Sequence, residues 1–230
     1  MRWQKKRPGR RGLPQTPPVT GMILRERPGI ATVLVAVLLV GLGALLAVPG
    51  SRPFHALERQ RQAQQRLAAA ERALVAFAVR EGRLPRPATP GRRDEGPEGT
   101  TAVLVGVLPL DALDPVEGVD PWGRTLTYAV TAALTRPGAW SAGTSGLLAV
   151  ESDHAPPRTT LDWVLVSHGA NGHGAWRPPG PRDPLPDGPL ERDNLGQAPD
   201  ADPAHFQERR HDRGQAEGFD DVLRAGTLPR

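Results

Sequence analysis

Residues 30–48 read IATVLVAVLLVGLGALLAV, nineteen residues without a charged side chain, and this stretch decides how the rest of the chain is organised. A helix of that length rises about 1.5 Å per residue and spans roughly 28 Å, close to the ~30 Å hydrocarbon core of a bilayer. Twelve of its residues are Ile, Val or Leu, whose insertion into a bilayer is favourable. The sequence therefore predicts a transmembrane helix over 29–49.

Basic residues are concentrated on the N-terminal side of this segment. Residues 1–28 hold eight Lys and Arg residues against Glu26 alone, whereas the remaining residues have a slight excess of acidic groups. Because positive charge is retained in the cytoplasm, we predict a single-pass protein with a basic cytoplasmic leader, 1–28, and its C-terminal part across the membrane. A nucleic-acid binder carries its positive charge on a folded face, so this tail does not predict nucleic-acid binding.

Other interpretations of the apolar segment stay open. A cleaved secretory signal would end after Gly50, although the apolar run is longer than the roughly 7–15 residues of such signals. A pilin-type leader would be cut on the cytoplasmic side and would keep the apolar helix. A buried helix of a water-soluble protein would need apolar partners that the rest of the chain does not offer.

The composition limits what the part beyond the membrane can be. Gly and Pro each occur 26 times, so much of the chain is turn and loop, and hydrophobic residues make up 38% of it. That supplies one modest core and argues against a large two-domain enzyme. The absence of cysteine excludes disulfides, thiolate zinc sites, iron–sulfur clusters and Cys nucleophiles.

An α+β fold is predicted, with a long N-terminal helix, half membrane-spanning and half amphipathic, packed on a small antiparallel β-sheet. Pro49, Gly50 and Pro53 interrupt the helix. It resumes as an amphipathic extension within 50–81, because Ala, Gln, Arg, Glu and Leu dominate there. Its narrow apolar stripe at helical spacing consists of Ala56, Ala63, Leu67, Ala70, Leu74 and Phe77.

Short runs rich in β-branched residues predict the strands of a small β domain over 82–176. The runs are 102–108, 125–134, 146–151 and 161–167. No second long helix separates them, so the sheet is predicted to be antiparallel. Residues 177–205 hold many prolines and few apolar residues and predict a loop or a disordered segment. In the C-terminal segment, 206–230, residues 219–223 are expected to return to the edge of the sheet.

Residues 167–174, Ser-His-Gly-Ala-Asn-Gly-His-Gly, form a Gly-rich loop with two histidines. His168 and His173 lack a third ligand nearby in the sequence, so a zinc site is not favoured. Adjacent Ser167 and His168 cannot form a nucleophile–base pair without a special backbone. The favoured interpretation is a tight turn at Asn171 and Gly172 with positive φ. No catalytic residue is assigned, and the chain is not expected to be an enzyme.

Asp-Pro-Trp-Gly at 120–123 predicts a second turn. Pro121 fixes φ at the first central position, Gly123 suits the last position, and the Asp120 carboxylate can bond to the turn backbone, with Trp122 over the edge of the core. Four carboxylates lead into this turn. They are solvated loop charges or part of a calcium site, which needs about six to eight oxygen ligands. These carboxylates are Asp111, Asp114, Glu117 and Asp120.

The order of these features resembles the type IV pilin-like proteins, especially prepilin-like minor subunits and the major pseudopilin of type II secretion. A basic leader precedes an apolar helix, an amphipathic extension and Gly-Arg-Leu-Pro at 82–85. Asp-Pro-Trp-Gly follows, then Val-Leu-Val-Ser-His-Gly-Ala-Asn-Gly at 164–172 and Phe-Asp-Asp at 219–221. The motif positions are Asp120, Pro121, Trp122, Gly123, Tyr128, Ser167, Gly169, Asn171, Gly172, Phe219, Asp220 and Asp221.

The resemblance implies a structural subunit of a type IV pilus or of a type II secretion pseudopilus. Such a subunit is held in the bacterial inner membrane before assembly, with its C-terminal domain in the periplasm. Its partners are copies of itself or other pilin-like subunits, together with a prepilin peptidase that cuts between Gly29 and Ile30, or between Gly21 and Met22. The alternative is a single-pass, membrane-tethered periplasmic binding or sensor domain that does not assemble.

The resemblance implies no cofactor except a candidate structural calcium ion. The loop at 167–174 is similar to the calcium loop of the type II major pseudopilin, with an asparagine where an aspartate would bind more strongly. The candidate ligands are Asp120, Asn171 and Asp220. These residues are far apart in the sequence, so the expectation requires the fold to bring them together.

Overall fold

The computed structural model describes residues 29, 34, 35, 37, 51–140, 143–178, 180–186, 188–196, 204–209 and 219–228. The chain divides into two compact units, Met1–Pro49 and Gly50–Arg230. The predicted basic leader and most of the predicted transmembrane helix over 29–49 lie outside the described residues. Among the residues that are described, no helix combines the length and the apolar character needed to cross a bilayer.

The second unit has the predicted α+β composition. One long helix precedes seven strands, which form two sheets. In chain order the elements are α1 (Ser51–Glu81), β1 (Val103–Val107), β2 (Thr127–Thr131), a 3₁₀ helix (Ala132–Thr135), β3 (Leu148–Ser152), β4 (Arg158–Leu161), β5 (Trp163–Ser167), α2 (Pro189–Asp193), β6 (His205–Glu208) and β7 (Val222–Gly226).

Helix α1 corresponds to the predicted amphipathic extension. It begins at Ser51 and not after Pro53, because proline is tolerated in the first turn of a helix. It ends where Gly82 adopts a φ of 65° and its N–H donates to the Ala78 carbonyl at 2.9 Å. The predicted stripe is buried from Ala63 onward, whereas Ala56 is exposed.

A four-stranded antiparallel sheet lies under this helix, with the strand order β1-β2-β5-β7. Helix α1 packs on β5 and β7, so Leu67, Leu74 and Phe77 share a core with Tyr128 and Trp163. The predicted return of residues 219–223 to the sheet edge is confirmed for Val222 and Leu223, which begin the outer strand β7 beside β5, whereas 219–221 precede the strand.

A second, three-stranded sheet has the order β4-β3-β6 and covers the other face of the first one. Strands β2 and β5 are therefore buried along their whole length. This explains the apolar residues on both faces of β5, whereas one face of β2 carries the buried threonines Thr127 and Thr131. Strands β3 and β4 are antiparallel, but β6 runs parallel to β3. The prediction of an antiparallel sheet is correct for the first sheet and for β3 with β4, and wrong for β3 with β6, because β6 follows β3 only after β4, β5 and α2 and does not pair with it through a hairpin.

The Pro-rich segment 177–205 departs most from its predicted character. Its described residues include the one-turn helix α2 and make specific contacts with the rest of the domain. The Gly174 N–H donates to the Pro184 carbonyl at 2.7 Å, and the Asp183 N–H donates to the Ala175 carbonyl at 2.7 Å. Where it is described, this segment is an ordered covering over the loop at 167–174.

Candidate functional site

The Asp-Pro-Trp-Gly turn joins the Gly-rich loop through one buried carboxylate. Asp120 Oδ1 accepts hydrogen bonds from the backbone N–H groups of Trp122 at 2.9 Å and Arg124 at 3.0 Å, as expected for an aspartate that begins a turn. Its Oδ2 accepts the Ser167 hydroxyl at 2.9 Å. Both oxygens of Asp120 are therefore used within the turn and its neighbour. The two motifs are therefore joined through the Asp120 side chain.

Positive backbone φ angles shape the Gly-rich loop. Gly169 has a φ of 56° and Gly172 has a φ of 65°, and the Gly172 N–H donates to the His168 carbonyl at 2.9 Å. The predicted positive φ is found at Gly172 but not at Asn171, and the turn that the Gly172 N–H closes begins at His168, so the prediction of a tight turn at Asn171 and Gly172 holds only in part. Ser167 and His168 bond to different partners, because the His168 Nε2 atom lies 2.8 Å from the Thr127 hydroxyl.

Three carboxylates meet beside this loop. Glu191 belongs to α2, and Asp220 and Asp221 immediately precede β7. One oxygen from each lies within 4.8 Å of one oxygen from each of the others, and all three residues are buried. We call Glu191, Asp220 and Asp221 the acidic cluster. Of the predicted calcium ligands it contains Asp220 only.

The other two predicted ligands are placed differently. Asn171 borders the acidic cluster, since its backbone N–H donates to Asp220 Oδ2 at 2.8 Å and its side-chain Nδ2 donates to Glu191 Oε1 at 2.8 Å. Asp120 is bonded to its own turn and to Ser167, as described above. The structure therefore brings Asn171 and Asp220 together, adds Glu191 and Asp221, and places Asp120 outside the cluster.

The electrostatics of the cluster are unfavourable when all three groups are charged. Burial raises the pKa of Asp220 to about 6; the Asn171 N–H opposes this rise, and the charges of Asp221 and Glu191 add to it. Asp220 Oδ1 is buried and accepts no hydrogen bond from the described residues. No lysine or arginine of the described residues forms an ion pair with the cluster; its ionisable neighbours are histidines.

The two histidines contact different carboxylates of the cluster. His168 Nδ1 is 3.6 Å from Asp221 Oδ1, and His173 Nδ1 is 3.2 Å from Glu191 Oε2. Neither ring joins the three carboxylates in one compact group of ligand atoms. The compact donor set is therefore made of oxygen only, which suits a hard cation such as Ca²⁺ better than zinc.

The acidic cluster fits a hard cation in two respects. Its three carboxylates supply oxygens close enough to share one ion, and the unpartnered Asp220 oxygen is a buried acceptor for which a cation would compensate. Asn194 orients the cluster, because its Nδ2 donates to Asp221 Oδ2 at 2.8 Å. The same amide group bonds to the backbone of Gln207 in β6.

Glu191 and Arg124 were not identified from the sequence. Glu191 lies in the Pro-rich segment, where no periodic pattern singles it out. Arg124 directly follows the Asp-Pro-Trp-Gly turn, and its side chain is buried against the Gly-rich loop and against Asp183 at 2.9 Å. The sequence signal for Arg124 is the carboxylate of Asp183. An aspartate in a segment with few apolar residues can pair with an arginine that is distant in sequence.

The remaining motif residues support the core. The Tyr128 hydroxyl donates to the Pro85 carbonyl at 3.1 Å, so the Gly-Arg-Leu-Pro motif contacts the strand that follows the turn. Burial raises the pKa of Tyr128 well above its usual range. Phe219 is buried, and Trp122 is half-buried. Of the leader candidates, Gly29 is exposed, and Gly21, Met22 and Ile30 lie outside the described residues.

Comparison of the chain with protein-family models, curated proteins and solved structures found no match. The site consists of the Gly-rich loop, the adjacent acidic cluster, and the Asp-Pro-Trp-Gly turn, which is bonded to Ser167 at the start of the loop.

Proposed function

We propose that the chain is a pilin-like structural subunit, without enzymatic activity, of a type IV pilus or a type II secretion pseudopilus. The apolar segment 29–49 would anchor it in the bacterial inner membrane, with the N-terminus in the cytoplasm and residues 50–230 in the periplasm. In the filament the same segment would pack against copies of the chain or against other pilin-like subunits.

The observation that carries this proposal is the form of α1. The helix begins at Ser51, directly after the apolar segment, and continues for 31 residues. Its last turns are buried on the sheet, whereas described residues 55–59 are exposed. A helix whose C-terminal half belongs to a globular domain and whose N-terminal half follows an apolar segment suits a subunit that assembles through its helix.

The apolar segment itself is suited to close helix packing. Gly41, Gly43, Ala44 and Ala47 are small residues near its C-terminal end. Small residues allow helix backbones to approach closely, and van der Waals contact then drives association where the hydrophobic effect between helices is absent. Association of the apolar segments is therefore expected to hold neighbouring subunits together.

We propose further that the acidic cluster binds a structural calcium ion. The ion would be held by Glu191, Asp220 and Asp221 and would offset the repulsion among their charges. Since the cluster joins α2 to the residues before β7, the ion would stabilise the C-terminal part of the domain. The ion has no catalytic role in this proposal.

The experiment for the subunit proposal is fractionation of expressing cells, followed by mapping of the mature N-terminus and by chemical cross-linking. We expect membrane-bound protein that begins at Ile30 or Met22 and cross-links into multimers. A soluble product that begins at Ser51 would contradict it. Membrane-bound protein that cross-links only as a monomer would favour the tethered binding or sensor domain.

A further inference from the structure

We infer that Arg124 is a positioning residue of the proposed cation site: its guanidinium group binds the carbonyl side of the Gly-rich loop and thereby presents the N–H side of that loop to Asp220. The role in cation binding rests on the proposed calcium site. The placement of the loop by Arg124 does not depend on the calcium site, and it can be tested without a cation.

Arg124 contacts three consecutive carbonyl groups of the loop. Its Nη1 donates to the Gly169 carbonyl at 2.8 Å, and its Nη2 donates to the carbonyls of Ala170 at 3.3 Å and Asn171 at 3.2 Å. The carbonyl oxygens of this stretch are therefore directed to one buried positive charge. A planar group with several fixed N–H donors can do this, whereas a lysine ammonium presents its donors from a single point.

Asp220 contacts the same loop from its N–H side. The Asn171 N–H donates to Asp220 Oδ2 at 2.8 Å. The peptide group between Ala170 and Asn171 thus lies between a positive charge near its oxygen and a negative charge near its N–H. Each charge favours the orientation of the peptide dipoles that the other one requires, so Arg124 and Asp220 stabilise one conformation of the loop.

The two glycines of the loop provide independent support. A Cβ atom on Gly172 would overlap the Arg124 guanidinium group, and a Cβ atom on Gly169 would overlap Asp220. Both positions also have positive φ. Each glycine therefore leaves space for one of the two charged partners. The two glycines of Gly-Ala-Asn-Gly are therefore required by the close approach of Arg124 and Asp220, as well as by the turn.

Asp183 keeps Arg124 in place. Arg124 Nε donates to Asp183 Oδ2 at 2.9 Å, and Arg177 Nε donates to Asp183 Oδ1 at 2.6 Å. Burial disfavours the charged form of Asp183, but these two guanidinium groups outweigh it, so the pKa of Asp183 lies below its ordinary value. Arg124 is buried, whereas Arg177 is exposed, and no contact of Arg177 with the loop is found among the described residues.

This arrangement determines how a cation would be held. The carbonyls of Gly169, Ala170 and Asn171 already bond to Arg124. A cation would therefore be bound by the cluster's side chains, and the loop would act through the N–H group that fixes Asp220. Arg124 affects the cation site without touching the ion.

The test uses the full chain in detergent and compares Arg124→Lys and Arg124→Gln with the matched control Arg177→Gln. All three variants alter a guanidinium partner of Asp183, but only the first two alter contact with the loop. In metal-free buffer we measure amide hydrogen exchange at Asn171, with the Leu165 amide in β5 as an internal reference. Calcium affinity is then measured by calorimetry.

We expect exchange at Asn171 to be about tenfold faster or more in both Arg124 variants, with Leu165 unchanged, because a hydrogen bond to a charged group is loosened. Calcium affinity should fall about 10–100-fold, as for other residues that orient metal ligands. Arg177→Gln should change both quantities less than about threefold, since it leaves the loop contacts in place. The lysine variant keeps the positive charge and serves if the glutamine variant does not fold.

Equal acceleration at Asn171 and Leu165 would mean general destabilisation and would overturn the positioning role, as would unchanged exchange at Asn171. If the parent chain takes up no calcium, the proposed calcium site fails, and the exchange measurements still decide the role of Arg124. If calcium binds but the Arg124 variants bind it as tightly as the parent, the role of Arg124 in cation binding is overturned.

Discussion

Asp220 is the residue at which charge and burial conflict most directly. With a pKa of about 6 in the folded protein and an ordinary value of 3.8, the folded state retains this proton at pH values where the unfolded state has lost it. The resulting stabilisation is complete below about pH 4 and is lost as the pH rises through about 6. The cation-free domain should therefore lose stability as the pH rises from about 4 through about 6, counter to the usual behaviour of an aspartate.

The substitution Asp220→Asn should remove this pH dependence in the presence of a chelator. At pH 7.5 the variant should be more stable than the parent by roughly 2–3 kcal/mol, because the buried charge and its repulsion are gone. Denaturant unfolding at pH 5 and pH 7.5 measures the difference. Asp111→Asn, an exposed aspartate outside the cluster, is the control. A parent chain that is more stable at pH 7.5 than at pH 5 would contradict the prediction.

Gly172 allows the close approach of Arg124 to be tested by adding one methyl group. Gly172→Ala should destabilise the domain by the strain of a positive φ, about 1–2 kcal/mol, and by a further 1–3 kcal/mol from overlap with the guanidinium group. Gly91→Ala is the matched control, because Gly91 has a φ of 84° and open space around it, so only strain applies. Equal losses of unfolding free energy in the two variants would show that the overlap is relieved at no cost.

Asn194, the residue directly after helix α2, bonds to the backbone of strand β6 through its side-chain amide. Its Oδ1 accepts the Gln207 N–H at 2.8 Å, and its Nδ2 donates to the Gln207 carbonyl at 3.0 Å and to Asp221. The amide group therefore acts toward β6 as a neighbouring strand would. It also connects the second sheet to the acidic cluster, so the two features are expected to unfold together.

Replacement of the Asn194 amide should remove the connection between the second sheet and the acidic cluster. Asn194→Ala leaves buried polar groups of Gln207 and Asp221 without a partner and should destabilise the domain by about 2–4 kcal/mol. Asp193→Ala, which removes only a side-chain contact to Gln207 at 3.0 Å, should cost less than about 1 kcal/mol. Both are measured by denaturant unfolding of the full chain in detergent. Similar losses in the two variants would argue against the central position of Asn194.

A helix or strand could be predicted from the sequence when the contacts that form it involve residues close together in the chain. The runs at 102–108 and 161–167 contained β1 and β5, because buried strands need continuous β-branched sequence whatever their partners are. Strand β6 has four residues and pairs with β3 across a long stretch of chain, so no local pattern marked it. Glu191 and Arg124 act through contacts with residues distant in sequence, which periodicity cannot predict.

At the scale of the whole molecule, the proposed calcium ion should appear as added thermal stability. Calcium at about 100 times its dissociation constant contributes about 2.7 kcal/mol, which for a domain of this size raises the unfolding temperature by roughly 5–10 °C. Glu191→Gln should remove most of this shift, and Asp111→Asn should retain it. The measurement is thermal unfolding at pH 7.5 with calcium and with a chelator. A shift of equal size in Glu191→Gln would exclude the cluster as the binding site.

The strand order has a consequence for how the domain is made. Strand β5 lies between β2 and β7, yet β7 follows it only after the Pro-rich segment, α2 and β6. While a nascent chain still lacks β7, one edge of β5 has no partner strand, and Trp163 and Leu165 lack part of their covering. Such an edge can pair with another chain, and pairing between distant segments is slow. Chaperone protection during synthesis should therefore matter most until β7 has emerged.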